Sequence, residues 1–194
     1  MRVLVVYAHP LETSFIAALH RCAVETLRAG GHEVDDLDLY AERFDPVMSR
    51  EQFAHYVDTS QNAREVEAYV KRLRAAEALV LVFPVWFDGL PAMMQGYFQR
   101  VFLPGVALRI DKEGLFHPNL HHLKRMAAVC TYGEDEGAVA AKNNPAHRFV
   151  HYNIGALIDP KGQFEYLAHY DMNFTTTPRR AAFIERIART FAAW

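Results

Sequence analysis

Apolar positions in this chain come in short unbroken runs separated by longer amphipathic stretches. Val3 to Tyr7 and ALVLVFP, residues 78–84, are continuous and rich in β-branched side chains. That is the pattern of strands buried on both faces. RMAAVCTYG, residues 125–133, predicts a further strand, and FEYLAHY, residues 164–170, a weaker one. HEVDDLDLY, residues 32–40, sets Val34, Leu37 and Leu39 among acids and reads as a strand nearer a sheet edge. Between the strands the period changes. SFIAALHRCAVETLRAGG brings Phe15, Leu19, Cys22 and Leu27 near one helical face and stops at Gly30-Gly31. AREVEAYVKRLRAAE is a charged amphipathic helix, and another helix starts at about Pro91, where proline suits a first turn. In the last helix Thr177 is the expected N-cap, Pro178 the first helical residue, and Phe183, Ile187 and Phe191 the apolar stripe. Residues 41–62 are polar and irregular and read as a long connection. Strand followed by helix, about five times over, predicts a doubly wound α/β sheet with helices on both faces.

Composition narrows the picture further. A chain of 194 residues without repeats or a linker is expected to form one domain over 1–194. The net charge of -2 and the lack of a basic tract argue against a nucleic-acid partner. No stretch approaches the roughly 18 apolar residues of a membrane helix, and Val3–Tyr7 is too short for the core of a signal peptide. Cys22 and Cys130 are far apart and form no C-x-x-C pair, which fits a reducing cytoplasm. Cys130 ends an apolar strand with no charged activator beside it, so it does not read as a nucleophile. No metal is expected: among His117, His121 and His122, the adjacent pair does not readily face one ion.

Ligands of doubly wound sheets bind beyond the carboxyl ends of the strands, so three loops carry the candidate chemistry. AHPLETSF follows the first strand and lacks G-x-G-x-x-G. Thr13 and Ser14 stand at a helix start, where free N–H groups, the helix dipole and two hydroxyls suit a phosphate. An ordinary N-cap with His9 as a loop histidine accounts for the same residues. In the second loop Trp86 and Phe87 precede Gly89, and either plug the core or offer an aromatic wall to a planar heterocycle. Behind them Met93, Met94, Tyr97, Phe98, Val101 and Phe102 cover more than one helical face, so this helix is either fully buried or an oligomer contact. In the third loop, CTYGEDEG, the backbone of Thr131 and Gly133 and the side chain of Tyr132 could meet a ligand edge, or the segment is an acidic surface turn. Together the loops describe a flavin mononucleotide half, with phosphate at the helix start and isoalloxazine between the other two.

VVYAHPLETSF and FPVWFDGLPAMMQGYFQRVF resemble the flavodoxin-like NAD(P)H:quinone oxidoreductase family, over residues 2 to about 133. That family includes mammalian quinone reductases, bacterial drug-activity modulators and ancillary proteins of potassium-efflux systems. The resemblance implies a flavodoxin-like, doubly wound, five-stranded parallel sheet and a two-electron flavoenzyme working by ping-pong hydride transfer. NAD(P)H is then the co-substrate, a quinone-like small molecule the acceptor, and a homodimer with its active site at the subunit interface the expected assembly. By position His9, Thr13, Ser14 and Phe15 hold the phosphate end. Pro84, Val85, Trp86, Phe87 and Asp88 hold the ring, and Thr131, Tyr132 and Gly133 line its other edge. Which of Trp86 and Phe87 faces the ring stays open. Mammalian members carry a tyrosine and a histidine after the third loop that steer charge during hydride transfer. Here those positions fall near Val139 and Pro145, which leaves Tyr132 and His147 as candidate catalytic substitutes. The long C-terminal extension of the mammalian enzymes is also missing, so FMN and FAD both remain open. The alternative is a flavodoxin-type electron carrier or a regulatory subunit of a transport system. Carriers usually rely on strong charge for brief docking, and -2 is a poor match.

Overall fold

The computed structural model describes residues 1–194. β1 (Arg2–Tyr7) lies between β2 (Glu33–Asp38) and β3 (Ala78–Pro84). After a small antiparallel hairpin, β4 (Leu108–Ile110) with β5 (Phe116–Pro118), the sheet continues through β6 (Arg125–Thr131) to β7 (Gln163–His169). The order β2-β1-β3-β6-β7 is parallel throughout. Every residue of β3 is buried, as its unbroken apolar run requires, whereas the edge strands β2 and β7 are mostly half-buried.

Side chains alternate across the sheet, so each central strand feeds two cores. Val3, Val5 and Tyr7 pack with α1 (Phe15–Ala29) and with α7 (Thr177–Ala192). Leu4 and Val6 face the other side, under α3 (Glu67–Ala75), α4 (Ala92–Val101) and the short helices α5 (Glu136–Ala141) and α6 (Pro145–Phe149). In α1 the buried face runs through Ile16, Leu19, Ala23 and Leu27, leaving Phe15 and Cys22 half-buried on its flank. In α7 the stripe Phe183, Ile187, Phe191 is buried as expected, but the N-cap is Thr176, whose hydroxyl accepts from the Arg179 N–H. Proline within the first turn suits either frame, so the run of three threonines gave no register. No helix is long and apolar enough to cross a membrane.

Of the two readings open for α4, the structure shows cover by the chain's own residues. Its apolar sides are covered by the chain itself, by the 41–66 connection, which holds the short helix α2 (Arg50–Ala54). Phe44 meets Tyr97 with ring centroids 5.8 Å apart, and a Cβ on Gly96 would stand 2.3 Å from the Pro46 carbonyl oxygen. Arg100, 5% exposed, clamps this cover: Nε donates to Gln52 Oε1 (2.8 Å), Nη1 to the Asp45 carbonyl (2.7 Å) and Nη2 to Glu65 Oε2 (2.6 Å). The helix therefore buries most of its apolar side chains within the chain, with Met93 half-buried and Ala92 and Gln99 exposed, so its apolar surplus does not require a second subunit.

Candidate functional site

Three strand ends come together where the sheet order reverses between β1 and β3. The loop after β1 is tight: Ser14 Oγ accepts from the Ala17 N–H (3.2 Å) and donates to the Leu11 carbonyl (2.8 Å). His9 Nδ1 accepts from the Leu11 N–H (3.1 Å), and its ring lies 6.2 Å from that of Trp86. Thr13 is exposed. The N–H groups of Phe15 and Ile16, in the first turn of α1, have no intrahelical acceptor. The Phe15 ring turns the other way, edge-on to His169 at 5.2 Å.

The second loop answers the core-plug question. Trp86 and Gly89 exchange two 3.0 Å backbone hydrogen bonds around Phe87 and Asp88, whose φ angles are +50° and +59°. That is a type I′ turn, a geometry that favours asparagine and glycine. Holding phenylalanine there costs about 1–2 kcal/mol, and its ring is fully exposed. Trp86 is 47% exposed, while Val85 and Leu90 enter the core instead. Two large aromatics stand in solvent at the mouth of the sheet.

The third loop is anchored from behind. The Tyr132 hydroxyl donates to Asn144 Oδ1 (2.7 Å), which leaves Tyr166 as donor in the 2.5 Å contact between the two phenols. Asn144 Oδ1 also accepts from the His147 N–H (3.2 Å), capping α6. Burial raises both phenols well above their ordinary range and pushes the Cys130 thiol beside them up to about 12, so all three stay protonated at neutral pH. The hydroxyl of Tyr132 thus points behind the wall. His147 lies farther back, its ring 4.6 Å from Tyr166 and half-stacked on His151; burial and that neighbour lower its pKa.

A cleft of about 590 Å³ opens between the second and third loops, within the usual size of a small-molecule site. Pro84, Val85, Trp86, Phe87 and Asp88 form one side, and Thr131, Tyr132 and Gly133 the other. His9, Thr13, Ser14, Phe15 and His147 lie outside that lining, the first loop touching it through the His9–Trp86 contact. Lys142 bridges the mouth, donating to Asp88 Oδ1 at 2.6 Å and to Glu134 Oε2; both carboxylates raise its pKa.

A family model described as Flavodoxin-like fold matches residues 1–184. The chain belongs to that family. NAD(P)H dehydrogenase [quinone] 1 of Rattus norvegicus is 37% identical over 122 residues, 55% of this chain and 44% of that protein. The chain spans about half the length of the curated relatives it matches. NAD(P)H:quinone oxidoreductase from Methanothermobacter marburgensis superposes with a TM-score of 0.83 at 22% identity, covering 99% of this chain and 98% of that one. An FMN-dependent NADH-azoreductase from Bacillus anthracis, solved in complex with FMN, gives 0.77 at 13% identity, covering 99% and 98%. At such identities the two structures speak for the fold alone.

This flavodoxin-like chain also lines its cleft with Glu134, which the sequence offered only as part of an acidic surface turn, and with Lys142, Met172 and Asn173, which it did not single out. Met172 and Asn173 follow β7, the weakest of the predicted strands, and Asn173 Nδ2 donates to the Gly133 carbonyl at 3.5 Å. Lys142 ends α5, a helix too short to leave a periodic signal.

Proposed function

We propose that this chain is a flavin-dependent NAD(P)H:quinone-type oxidoreductase working by two-electron, ping-pong hydride transfer, with residues 1–194 acting as one flavin-binding unit. The observation that carries the reading is the cleft: eight residues expected to hold an isoalloxazine ring line one cavity beyond the ends of β3 and β6. Its features suit that ring. Trp86 and Phe87 are exposed, as ligand-binding aromatics must be, and the strained turn that presents them has no role in the core. Membership of the flavodoxin-like family and the likeness to quinone dehydrogenases support the same assignment.

When bound, a flavin, FMN or FAD, supplies hydride acceptance and hydride donation. The chain's own groups bind and orient. The first turn of α1, from Ser14, offers N–H groups and a positive dipole end to a phosphate, with Thr13 and His9 beside it. Trp86 and Phe87 would offer their rings to a bound isoalloxazine, with Pro84, Val85 and Asp88 on the same side of the cleft and Thr131 and Gly133 on the other. Tyr132 stiffens that side through Asn144 and Tyr166 rather than moving a proton, because its phenol is held neutral and turned inward. His147 supports the same network from outside the cleft. The cleft left beside a bound flavin would admit the nicotinamide of NAD(P)H and a quinone-like acceptor in turn.

We extend the reading to a cytoplasmic homodimer. Leu11, Phe87 and Phe174, each at least 60% exposed, follow three different strands at the cleft end of the sheet, and exposed apolar side chains at that end favour a second copy there. Purified protein is expected to be yellow, to release FMN or FAD on boiling, and to oxidise NAD(P)H with a quinone in two-electron stoichiometry free of semiquinone. A colourless protein that takes up neither flavin would sink the reading.

A further inference from the structure

Lys142 belongs to two cavities. On its far side from the cleft lies a second pocket of about 450 Å³, walled by Asn143, Arg148, Tyr152 and Asn153. Its backbone is unusual on both sides. Asn143 and Asn144 have φ of +58° and +43°, and residues Val150–Ile154 form a π turn that carries Tyr152 and Asn153. Such π insertions are rare and concentrate at functional sites. The pocket is also tied to the cleft, because Asn144 receives the Tyr132 hydroxyl and caps the helix that bears Arg148.

The side chains specify an anion with an attached flat ring. Arg148 has no carboxylate within salt-bridge range, and its guanidinium lies 5.8 Å from the centroid of the Tyr152 ring, itself 62% exposed. Lys142 is already neutralised by Asp88 and Glu134, so the charge on offer is that of Arg148. A guanidinium pairs with phosphate oxygens in bidentate fashion, and a tyrosine face accepts a purine. Asn143 and Asn153 add donors and acceptors for a heterocycle or ribose. On the cleft's third-loop side, by contrast, the lining carboxylate is Glu134, which repels phosphate.

We propose that this second pocket holds a phosphate of the adenosine half of a nicotinamide dinucleotide whose nicotinamide end enters the cleft. The proposal rests on the reductase reading above. Two phosphates share this chemistry, the pyrophosphate present in NADH and NADPH and the 2′-phosphate of NADPH alone.

The test titrates flavin-loaded protein calorimetrically with adenosine 2′,5′-bisphosphate and with ADP, and measures KM for NADPH and NADH, in wild type, Arg148→Gln and Tyr152→Ala. Both positions are exposed, so the variants should keep their flavin, which absorbance checks. Arg148→Gln is expected to weaken binding and raise KM by about tenfold or more, with kcat little changed. If the 2′-phosphate is held, only NADPH and the bisphosphate are affected. If the pyrophosphate is held, NADH and ADP are affected as well. Both variants staying within about twofold of wild type, for both donors and both probes, would overturn the proposal. Wild-type turnover with a phosphate-free N-alkyl dihydronicotinamide checks the reductase reading separately, since the probe titration needs no turnover.

Discussion

Phe87 combines two costs, a left-handed backbone and an apolar ring left wholly in water. Asparagine adopts that backbone more readily, so Phe87→Asn should raise unfolding stability by about 0.5–1 kcal/mol in urea titrations. The same variant should lose flavin on gel filtration. Stability unchanged or lowered, with flavin retained, would show that the turn is not strained for binding. Histidines supply a second residue-scale expectation. Burial first, then neighbouring charge, depresses His147 and His169 below the ordinary 6.5, His169 being flanked by Arg179 and Arg180. The folded state therefore resists protonation that the unfolded chain accepts. Their contribution is complete above 6.5 and is lost as pH falls through the window below it. Urea midpoints should drop between about pH 7 and about pH 5, and His169→Gln should flatten part of that slope.

At the scale of elements, the strands were legible because burial on both faces leaves a continuous apolar run that nothing else in the chain imitates. ALVLVFP matches β3 residue for residue, and the acid-studded HEVDDLDLY proved to be the edge strand it resembled. What the sequence hid depends on partners remote in the chain. The apolar surplus of α4 is absorbed by residues some fifty positions earlier, through the Arg100 clamp and the contact of Gly96 with Pro46. No local pattern distinguishes such internal cover from a second subunit. Gly96→Ala should therefore destabilise the fold by about 1–3 kcal/mol, because backbone rather than a flexible side chain blocks the added methyl. Limited proteolysis should then cut within 41–66 first. Wild-type cleavage patterns and an unshifted melting temperature would refute the close approach. In the candidate site the three loops were legible as strand ends. The Tyr132–Asn144–Tyr166 network was not, since it joins residues up to 34 apart through hydroxyls that carry no periodic signature.

For the whole molecule, the proposed dimer is placed at the end of the sheet. Leu11, Phe87 and Phe174 project from loops after β1, β3 and β7, so a partner seated there would close over the cleft. Sedimentation velocity at micromolar protein should give a dimer, and Leu11→Ser with Phe174→Ser should shift it towards monomer and raise the KM for quinone. A dimer untouched by the double variant would place the contact elsewhere.

Quinones are also electrophiles that add to thiolates, so a chain proposed to reduce them would face alkylation by those acceptors. Both of its thiols are poorly placed for that reaction. Cys130 is sealed under the sheet's end with its pKa near 12, and burial likewise raises half-buried Cys22. The thiolate is the reactive form, so neither thiol is primed to add to the compounds the chain is proposed to reduce, and both cysteines should remain unmodified after exposure to a reactive quinone, as peptide mass mapping would show.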